Sequence, residues 1–325
     1  MEEDKKLYPM QFCTLRDEYK WGYEEFKLAD LGYRDSLVRE GWLMGNSISE
    51  IMDMYLDRVV GDNVFEYYGR QFPLSVKNIC VNGSLPLQVC PDDSFASERY
   101  DFLGKDKVWY VVSCGSNAAI KLGFKTDTDA GRVYESCLDG TIDKLLNTVA
   151  PYPGQVLRIA PGTPHAALGE INIVEVSESS PLDFCMFGWG QEVSEEQFDP
   201  ALSLVDALEF IDYRAFKASD SPLAFKSSKL ELKDPLHVYS QAEGNFSLYT
   251  CLKGSADIRI EVFGQNVDYR LNAMETLLLP SECYDYYLLP LEQGTCLVES
   301  SVDRDDRDPY INPDVPSSLP EEEEE

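Results

Sequence analysis

The sequence GQVLRIAPGTPHAALG, residues 154–169, contains the pattern on which the fold prediction depends. It predicts a short apolar strand, then a turn at Pro161-Gly162, then a second strand that begins near His165. Residues 171–176 alternate apolar with polar or charged side chains, which predicts an antiparallel returning strand. This arrangement is typical of a β-barrel that directs an imidazole toward its interior.

Two carboxylates, Glu175 and Glu178, follow just beyond this histidine hairpin. We expect His165 and these carboxylates to face one cavity. Histidine is the commonest metal ligand in proteins, so a histidine beside acids inside a barrel favours a metal or acid/base site. A purely structural histidine at a strand end is the alternative interpretation.

Several further segments resemble those of one enzyme family and occur in the same order. They are FPLSVK (72–77), LQVCPDD (87–93), GKDKVWY (104–110), IKLGFK (120–125), DGTIDKLLN (139–147), Pro153-Gly154 and APGTPHA (160–166). Together they resemble the type I mannose-6-phosphate isomerases of the cupin superfamily. The resemblance extends from about Tyr19 to Gly190 and weakens afterwards, and it implies a cupin fold and sugar-phosphate chemistry.

The composition indicates a globular protein that is long enough for two domains. The chain has 325 residues, of which 44% are hydrophobic, and no apolar run approaches the roughly 18 residues of a membrane span. The N-terminus lacks the apolar core of a secretory signal, so a cytoplasmic location is predicted. Nine cysteines, without paired spacing, favour free thiols in a reducing compartment.

The net charge excludes several classes of partner. With 28 basic and 58 acidic residues, the formal charge is −30, which would repel nucleic acids and anionic membranes. We therefore expect neither as a partner and expect a small sugar or sugar phosphate instead. A sugar-phosphate site in such a protein needs its own local group of lysines or arginines.

Short strands at turn-marked intervals predict a mainly β fold with two cupin-type jelly-roll barrels and with N-terminal and inserted helical segments. The predicted units are an N-terminal segment (1–71), a first barrel (72–200) with a helical insertion at about 128–147, a helical linker (201–222), a second, smaller barrel (223–302) and a disordered acidic tail (303–325).

Two helix starts are predicted from capping patterns. Ser47 and Glu50 have capping-box spacing before a helix whose buried face is expected to hold Ile51, Met54, Tyr55 and Val59. In the insertion, Thr141 is expected to cap a second helix after a break near Gly140. The insertion is expected to form a lid over one face of the barrel.

The family resemblance also implies a set of site residues. The family holds a divalent metal, usually zinc, and Gln88 and His165 match two of its ligands. Cys90 stands where the family has a histidine, and Lys107 stands where it has a glutamate. Lys105 matches a lysine of the active site and is the catalytic candidate, while Trp21, Lys77 and Lys107 are the substrate-binding candidates.

The departures from the family pattern differ in weight. A Cys90 thiolate still binds zinc, at about 2.3 Å, but the Lys107 ammonium has no lone pair and repels a dication. Glu175 is the candidate replacement ligand, whereas Asp106 is expected on the opposite strand face from Lys107. Farther along, Cys185 replaces the arginine that handles substrate in the family, and Gly188 replaces an aspartate.

Two functions remain as alternatives. The residues favour a sugar or sugar-phosphate binding or regulatory protein in which Lys107 takes the place of the metal, because four substitutions at linked positions remove the isomerase chemistry. The alternative is an active, metal-dependent isomerase that interconverts mannose 6-phosphate and fructose 6-phosphate. It would use Gln88, Cys90, His165 and either Glu175 or Glu178 as ligands.

Overall fold

The computed structural model describes residues 5–190, 200–218, 223–239, 244–262 and 264–302. The described strands are β1 Leu15–Tyr19, β2 Gly22–Leu28, β3 Leu74–Val81, β4 Leu87–Val89, β5 Lys107–Cys114, β6 Ala119–Phe124, β7 Leu146–Val149, β8 Val156–Ile159, β9 His165–Leu168, β10 Ile171–Glu178, β11 Phe184–Phe187, β12 Lys226–Leu232, β13 Leu236–Tyr239, β14 Ser247–Lys253, β15 Ser255–Val262, β16 Gln265–Asn272, β17 Thr276–Leu279, β18 Asp285–Pro290 and β19 Thr295–Ser301. The described helices are α1 Ile48–Tyr55, α2 Asp57–Val60, α3 Asp62–Tyr68, α4 Asp93–Tyr100, α5 Ala130–Leu138 and α6 Pro200–Ala207.

The strands form two pairs of antiparallel sheets, which confirms the mainly β prediction. The first pair has the orders β1-β2-β3-β10-β5-β8 and β11-β4-β9-β6-β7, and the second has β12-β19-β14-β17 and β13-β18-β15-β16. Strands β1 and β2 extend the first sheet with residues that the sequence analysis placed before the barrel. They join because β2 pairs with β3 from Gly22↔Val81 onward.

The predicted turn before His165 is present, and it connects β8 to β9. Gly162 has φ +77°, and a Cβ there would lie 2.9 Å from the carbonyl oxygen of Phe210, so both the conformation and the close approach require glycine. The Asp212 amide donates to the Gly162 carbonyl at 2.9 Å. The segment after α6 therefore fixes the turn that positions His165.

Helix α1 has the predicted capping box, since the Ser47 side chain accepts from the Glu50 amide and the Glu50 side chain accepts from the Ser47 amide. Its buried face was predicted only in part. Ile51 and Tyr55 are buried, together with Met52, whereas Met54 lies off this face and is 50% exposed. Val59 is also buried, but it belongs to the separate helix α2.

The predicted insertion differs from the expectation after Gly140. Thr141 makes no side-chain cap, the helix it was expected to start is a single 3₁₀ turn at Ile142–Lys144, and Leu146–Val149 is the strand β7. Helix α5 places Val133 and Cys137 in an apolar cluster with Leu87 and Val89 of β4. The insertion thus covers one face of the five-stranded sheet.

The largest apolar cluster joins the two barrels. Val76, Val174 and Val176 of the first barrel pack in it with Leu248 and Val298 of the second, together with side chains from α1 to α3. Among the described residues, no helix is long and apolar enough to cross a membrane. The predicted acidic tail at 303–325 lies outside the described residues, as do positions 219–222 of the predicted linker.

Candidate functional site

Neighbouring strands of the first barrel bring charged side chains into its interior. In the register of β10 with β3 and β5, Glu175 lies opposite both Lys77 and Trp109, and Ser177 lies opposite Lys107. Successive residues of a strand point to opposite faces, so Lys107 and Trp109 share the inner face while Val108 and Tyr110 belong to the cluster between the barrels. The alternation of side chains along β5 therefore determines that the Lys107 ammonium points into the first barrel.

Lys107 is the centre of the polar network. Its residue is 0% exposed, and its Nζ lies 3.2 Å from His165 Nε2 and 3.8 Å from Glu175 Oε2, with a short hydrogen bond to Asp183 Oδ1. Burial lowers the pKa of Lys107, but the charges of Asp183 and Glu175 outweigh it and hold that pKa above its ordinary value. Lys107 is therefore a buried, protonated ammonium.

Asp183 connects Lys107 to Lys105 and Cys90. Lys105 Nζ donates to Asp183 Oδ2 at 2.6 Å, and the Cys90 thiol donates to Oδ1 at 3.1 Å. Burial would raise the pKa of Asp183, but the charges of Lys105 and Lys107 hold it well below the usual range. The Asp183 carboxylate is thus ionised and bound through both of its oxygens.

A second ion pair adjoins the first. Lys77 Nζ donates to Glu24 Oε1 at 2.8 Å and lies 3.4 Å from Glu175 Oε1, while the indole of Trp109 donates to Glu175 Oε2 at 2.6 Å. Burial opposes ionisation of Glu175, but Lys107 and Lys77 outweigh it and lower its pKa to about 2. The site as a whole balances three ammonium groups, on Lys77, Lys105 and Lys107, against three carboxylates, on Glu24, Glu175 and Asp183.

His165 is held as a neutral imidazole. Its Nδ1 lies 2.9 Å from the Thr163 carbonyl oxygen and therefore carries the proton, which leaves Nε2 to accept from Lys107. Burial and the neighbouring Lys107 charge lower the pKa of His165 to about 3. The imidazole lone pair that would bind a metal is thus used by an ammonium.

The structure brings most of the predicted site residues together. Lys105, Lys107, Cys90 and His165 belong to the network described above, and Gln88 lies opposite His165 in the pairing of β4 with β9. Residues directly opposite each other share a face of the sheet, so Gln88 is on the same side as the imidazole.

Other candidates lie elsewhere. Glu178 is not in the network, because it points to the opposite face of β10 from Glu175 and accepts from the Asp106 amide at 3.0 Å. Asp106 also faces away from Lys107, since its Oδ2 accepts from the Ala224 amide at 3.0 Å. Trp21 is buried in the apolar interior of the first barrel and stacks on Tyr19, with ring centroids 4.7 Å apart.

Sequence reasoning missed Asp183 and Glu24, which supply two of the three network carboxylates. Asp183 lies in the connection between β10 and β11, with no periodic pattern around it. The available signal was indirect: several inward-facing lysines on barrel strands need carboxylates to remain buried and charged. That argument predicts that the buried lysines have carboxylate partners, but it does not show where in the sequence those carboxylates lie.

The donor set does not fit a divalent cation. Burial and the nearby Asp183 charge raise the pKa of the Cys90 thiol to about 12, and the thiol donates to Asp183 Oδ1, so a metal would have to displace this proton before it could bind the sulfur. Lys107 places an ammonium against both His165 and Asp183, where a dication would be repelled. No group of three or more His, Cys, Asp or Glu side chains suited to a metal ion occurs in the described ranges.

Comparison with known proteins identifies related chains. The probable mannose-6-phosphate isomerase GmuF of Bacillus subtilis is 23% identical over 278 residues, which cover 80% of this chain and 83% of that protein. The mannose-6-phosphate isomerase ManA of the same organism is 26% identical over 223 residues, covering 63% and 68% of the two chains. No family model matches the sequence.

Solved structures share the fold. The mannose 6-phosphate isomerase from Bacillus subtilis superposes with a TM-score of 0.74 at 18% identity, covering 91% of this chain and 100% of that one. A variant of phosphomannose isomerase from Salmonella typhimurium gives a TM-score of 0.69 at 13% identity with the same coverage. The sequence relatives and the shared fold together support a relationship between this chain and the mannose-6-phosphate isomerase family.

Proposed function

We propose that this chain is a sugar or sugar-phosphate binding or regulatory protein that retains the isomerase scaffold without the isomerase reaction. The observation that carries the proposal is the position of the Lys107 ammonium, 3.2 Å from His165 Nε2 and in contact with Asp183. An internal cation there satisfies the acceptors that a metal would otherwise bind.

The chemistry of the reaction supports the same proposal. Aldose–ketose isomerisation requires a group that polarises the carbonyl or enediolate oxygen, and a second group that moves a proton between adjacent carbons. Lys105 is bound to Asp183, and His165 is a neutral imidazole whose Nε2 faces an ammonium. Neither side chain can transfer a proton to or from a substrate at neutral pH unless its contacts in this network are first broken.

The ligand class follows from the relatives and from local charge. The relatives are named as mannose-6-phosphate isomerases, and the site concentrates three lysines in a protein of net charge −30. In so acidic a chain, these buried lysines are the local source of positive charge for an anionic sugar ligand once one of their carboxylate partners is displaced. Their carboxylate partners keep the network neutral in the absence of ligand.

Metal analysis of the purified protein is the first test. The wild type should contain clearly substoichiometric zinc, as measured by plasma mass spectrometry, and should show no appreciable turnover of mannose 6-phosphate in a coupled assay. Binding of mannose 6-phosphate, measured by calorimetry, should be detectable. Stoichiometric zinc, with turnover that is lost on chelation, would instead establish the shifted-ligand isomerase.

A restored donor set provides the matched positive control. The double variant Cys90→His, Lys107→Glu supplies an imidazole and a carboxylate beside His165, so zinc binding should increase strongly over the wild type. Activity should not return with it, because Cys185 still lacks a guanidinium. The single variant Cys90→His retains the Lys107 ammonium and should bind little more zinc than the wild type.

A further inference from the structure

Three donors converge on the single carboxylate of Asp183. Lys105 Nζ lies 2.6 Å from its Oδ2, the Cys90 thiol lies 3.1 Å from its Oδ1, and Lys107 also binds Oδ1. The three donor residues are at most 3% exposed. Two buried ammonium groups and a thiol thus donate to one pair of carboxylate oxygens, which is the arrangement expected of an oxyanion-binding site.

Asp183 differs from its donors in where it lies. Its side chain is 20% exposed, and the residue precedes β11 in the connection that follows β10, outside any strand. Lys107, by contrast, lies within β5, and Cys90 follows β4 directly. The carboxylate therefore sits between the buried donors and solvent, and it can leave them without breaking a strand pairing.

Removing this carboxylate would leave an uncompensated positive charge. Lys107 would retain Glu175 at 3.8 Å, and Lys105 would lose its short ion pair. A buried ammonium without a counter-ion is strongly unfavourable, so an external anion of suitable size should be attracted into the vacated space.

We infer that Lys105, Lys107 and Cys90 form an oxyanion-binding site that the chain's own Asp183 fills, and that the anionic group of a sugar phosphate or sugar acid enters by displacing this carboxylate. The inference rests on the proposed function, because it names the part of the ligand that the site recognises. Asp183 then acts as an internal competitor that lowers the affinity for anionic ligands.

The variant Asp183→Ala tests the site directly. Formate, acetate and inorganic phosphate should raise its thermal unfolding temperature saturably, relative to chloride at equal ionic strength. Their affinities should be at least about tenfold higher than in the wild type, since the competing carboxylate is gone. Adding Lys105→Met to Asp183→Ala should abolish most of this gain.

A matched control is available at Lys121, a buried lysine outside this network. Lys121 contacts Asp143 at 2.5 Å, but Asp143 is 56% exposed, and within the described ranges Lys121 is the one ammonium that it binds. Asp143→Ala should therefore show no saturable stabilisation by formate. If Asp183→Ala does not fold in chloride, the same comparison is made on refolding yield, which formate should increase for this variant alone.

Sugar ligands identify the source of the anion. Asp183→Ala should bind mannose 6-phosphate or gluconate at least about tenfold more tightly than the wild type does, with unchanged affinity for neutral mannose. Preference for the first assigns a sugar phosphate, and preference for the second assigns a sugar acid. If none of these anions binds more tightly to the variant, the inference is wrong.

Zinc is quantified on the same preparations, and the anion titrations are made after chelation. Stoichiometric zinc with turnover would overturn the proposed function whatever the anion result. Absence of an anion effect in metal-free protein would overturn only the assignment of the oxyanion site.

Discussion

Lys107 contacts two carboxylates and an imidazole, so its removal should lower the free energy of unfolding substantially. Lys107→Met keeps the length of the side chain but leaves Asp183 and Glu175 with one compensating charge fewer in a buried site. Removing one partner of a buried ion pair typically destabilises by about 3–5 kcal/mol. Urea unfolding should show a loss of this size in the free energy of unfolding.

Lys121→Met is the comparison for that loss. Lys121 is also buried, but its partner Asp143 is largely exposed and is rehydrated when the ammonium is removed. The loss should stay below about 1 kcal/mol. Equal losses in the two variants would contradict the central position assigned to Lys107.

His165 should make stability depend on pH. Its pKa is lowered to about 3 in the folded protein, against about 6.5 in the unfolded chain, so the unfolded state binds the extra proton between these values. The contribution of His165 to the free energy of unfolding should therefore be fully present above about pH 6.5 and should be lost as the pH decreases below that value. The lowered pKa values of Glu175 and Asp183 act in the same direction, but only below the ordinary carboxyl pKa of about 4.

Urea unfolding of His165→Gln should lose the decline in stability that the wild type shows on acidification from about pH 6.5 to 5. Burial raises the pKa of Asp30 to about 6, which acts in the opposite direction in both proteins, so the contribution of the histidine is the difference between them. His237→Gln, which removes the other imidazole of the chain from an exposed contact with Asp285, controls for loss of an imidazole as such. Retention of the slope in His165→Gln would refute the assignment.

At the scale of single residues, the sequence predicted those side chains whose position follows from strand alternation. Lys105 and Lys107 were predicted to point to the same side from the period of two, and the family resemblance placed them in one site with His165. Glu178 was misplaced because it lies three positions after Glu175, and an odd number of positions along a strand reverses the face. Asp183 was missed because contacts with lysines 76 and 78 residues away leave no local pattern.

Among the elements, the two predicted caps form a contrasting pair. Ser47→Ala removes a capping box at α1 and should destabilise by about 1 kcal/mol, since the first amides of the helix lose their acceptor. Thr141→Ala should cost less than about 0.5 kcal/mol, because the Thr141 side chain caps no helix and its hydroxyl donates to the exposed Asp139. Chemical denaturation of both variants measures the difference, and equal costs would contradict the capping assignment.

The same contrast shows what local sequence determines. Ser47 and Glu50 satisfy each other within one turn, so the start of α1 was predictable from four residues. Ile142, Leu145 and Leu146 have the spacing of a helix, but Leu146 begins β7, which pairs with β6. Long-range pairing of backbone groups overrode a weak local preference.

For the whole molecule, the shared apolar cluster should make unfolding cooperative. Phe246 in the second barrel lies 4.9 Å from Phe72 between ring centroids and is 0% exposed. Phe246→Ala should destabilise by about 3–5 kcal/mol. All four tryptophans, at 21, 42, 109 and 189, precede this barrel, so fluorescence reports on the first barrel and the N-terminal segment.

Fluorescence and far-ultraviolet circular dichroism should therefore shift together in Phe246→Ala. The control variant Tyr287→Ala changes an exposed side chain of the second barrel and should move neither transition appreciably. A fluorescence transition that stays at its wild-type position in Phe246→Ala would show that the barrels unfold independently.

The overall architecture was predictable because each barrel repeats short strands separated by turns, a pattern visible within windows of ten residues. The recruitment of β1 and β2 into the first sheet was not predicted, because nothing local to residues 15–28 specifies β3 as their partner. Strand identity is partly local, whereas strand order is a property of the complete chain.

The ammonium of Lys107 also determines what single substitutions at positions 90 and 107 would do to the protein. Lys107→Glu alone would gather a third carboxylate beside Glu175 and Asp183, while Cys90→His alone would set another imidazole near an existing cation. Each single variant should be less stable than the wild type, because like charges or unmatched donors are buried together. A metal-binding donor set is therefore best introduced by changing both positions at once.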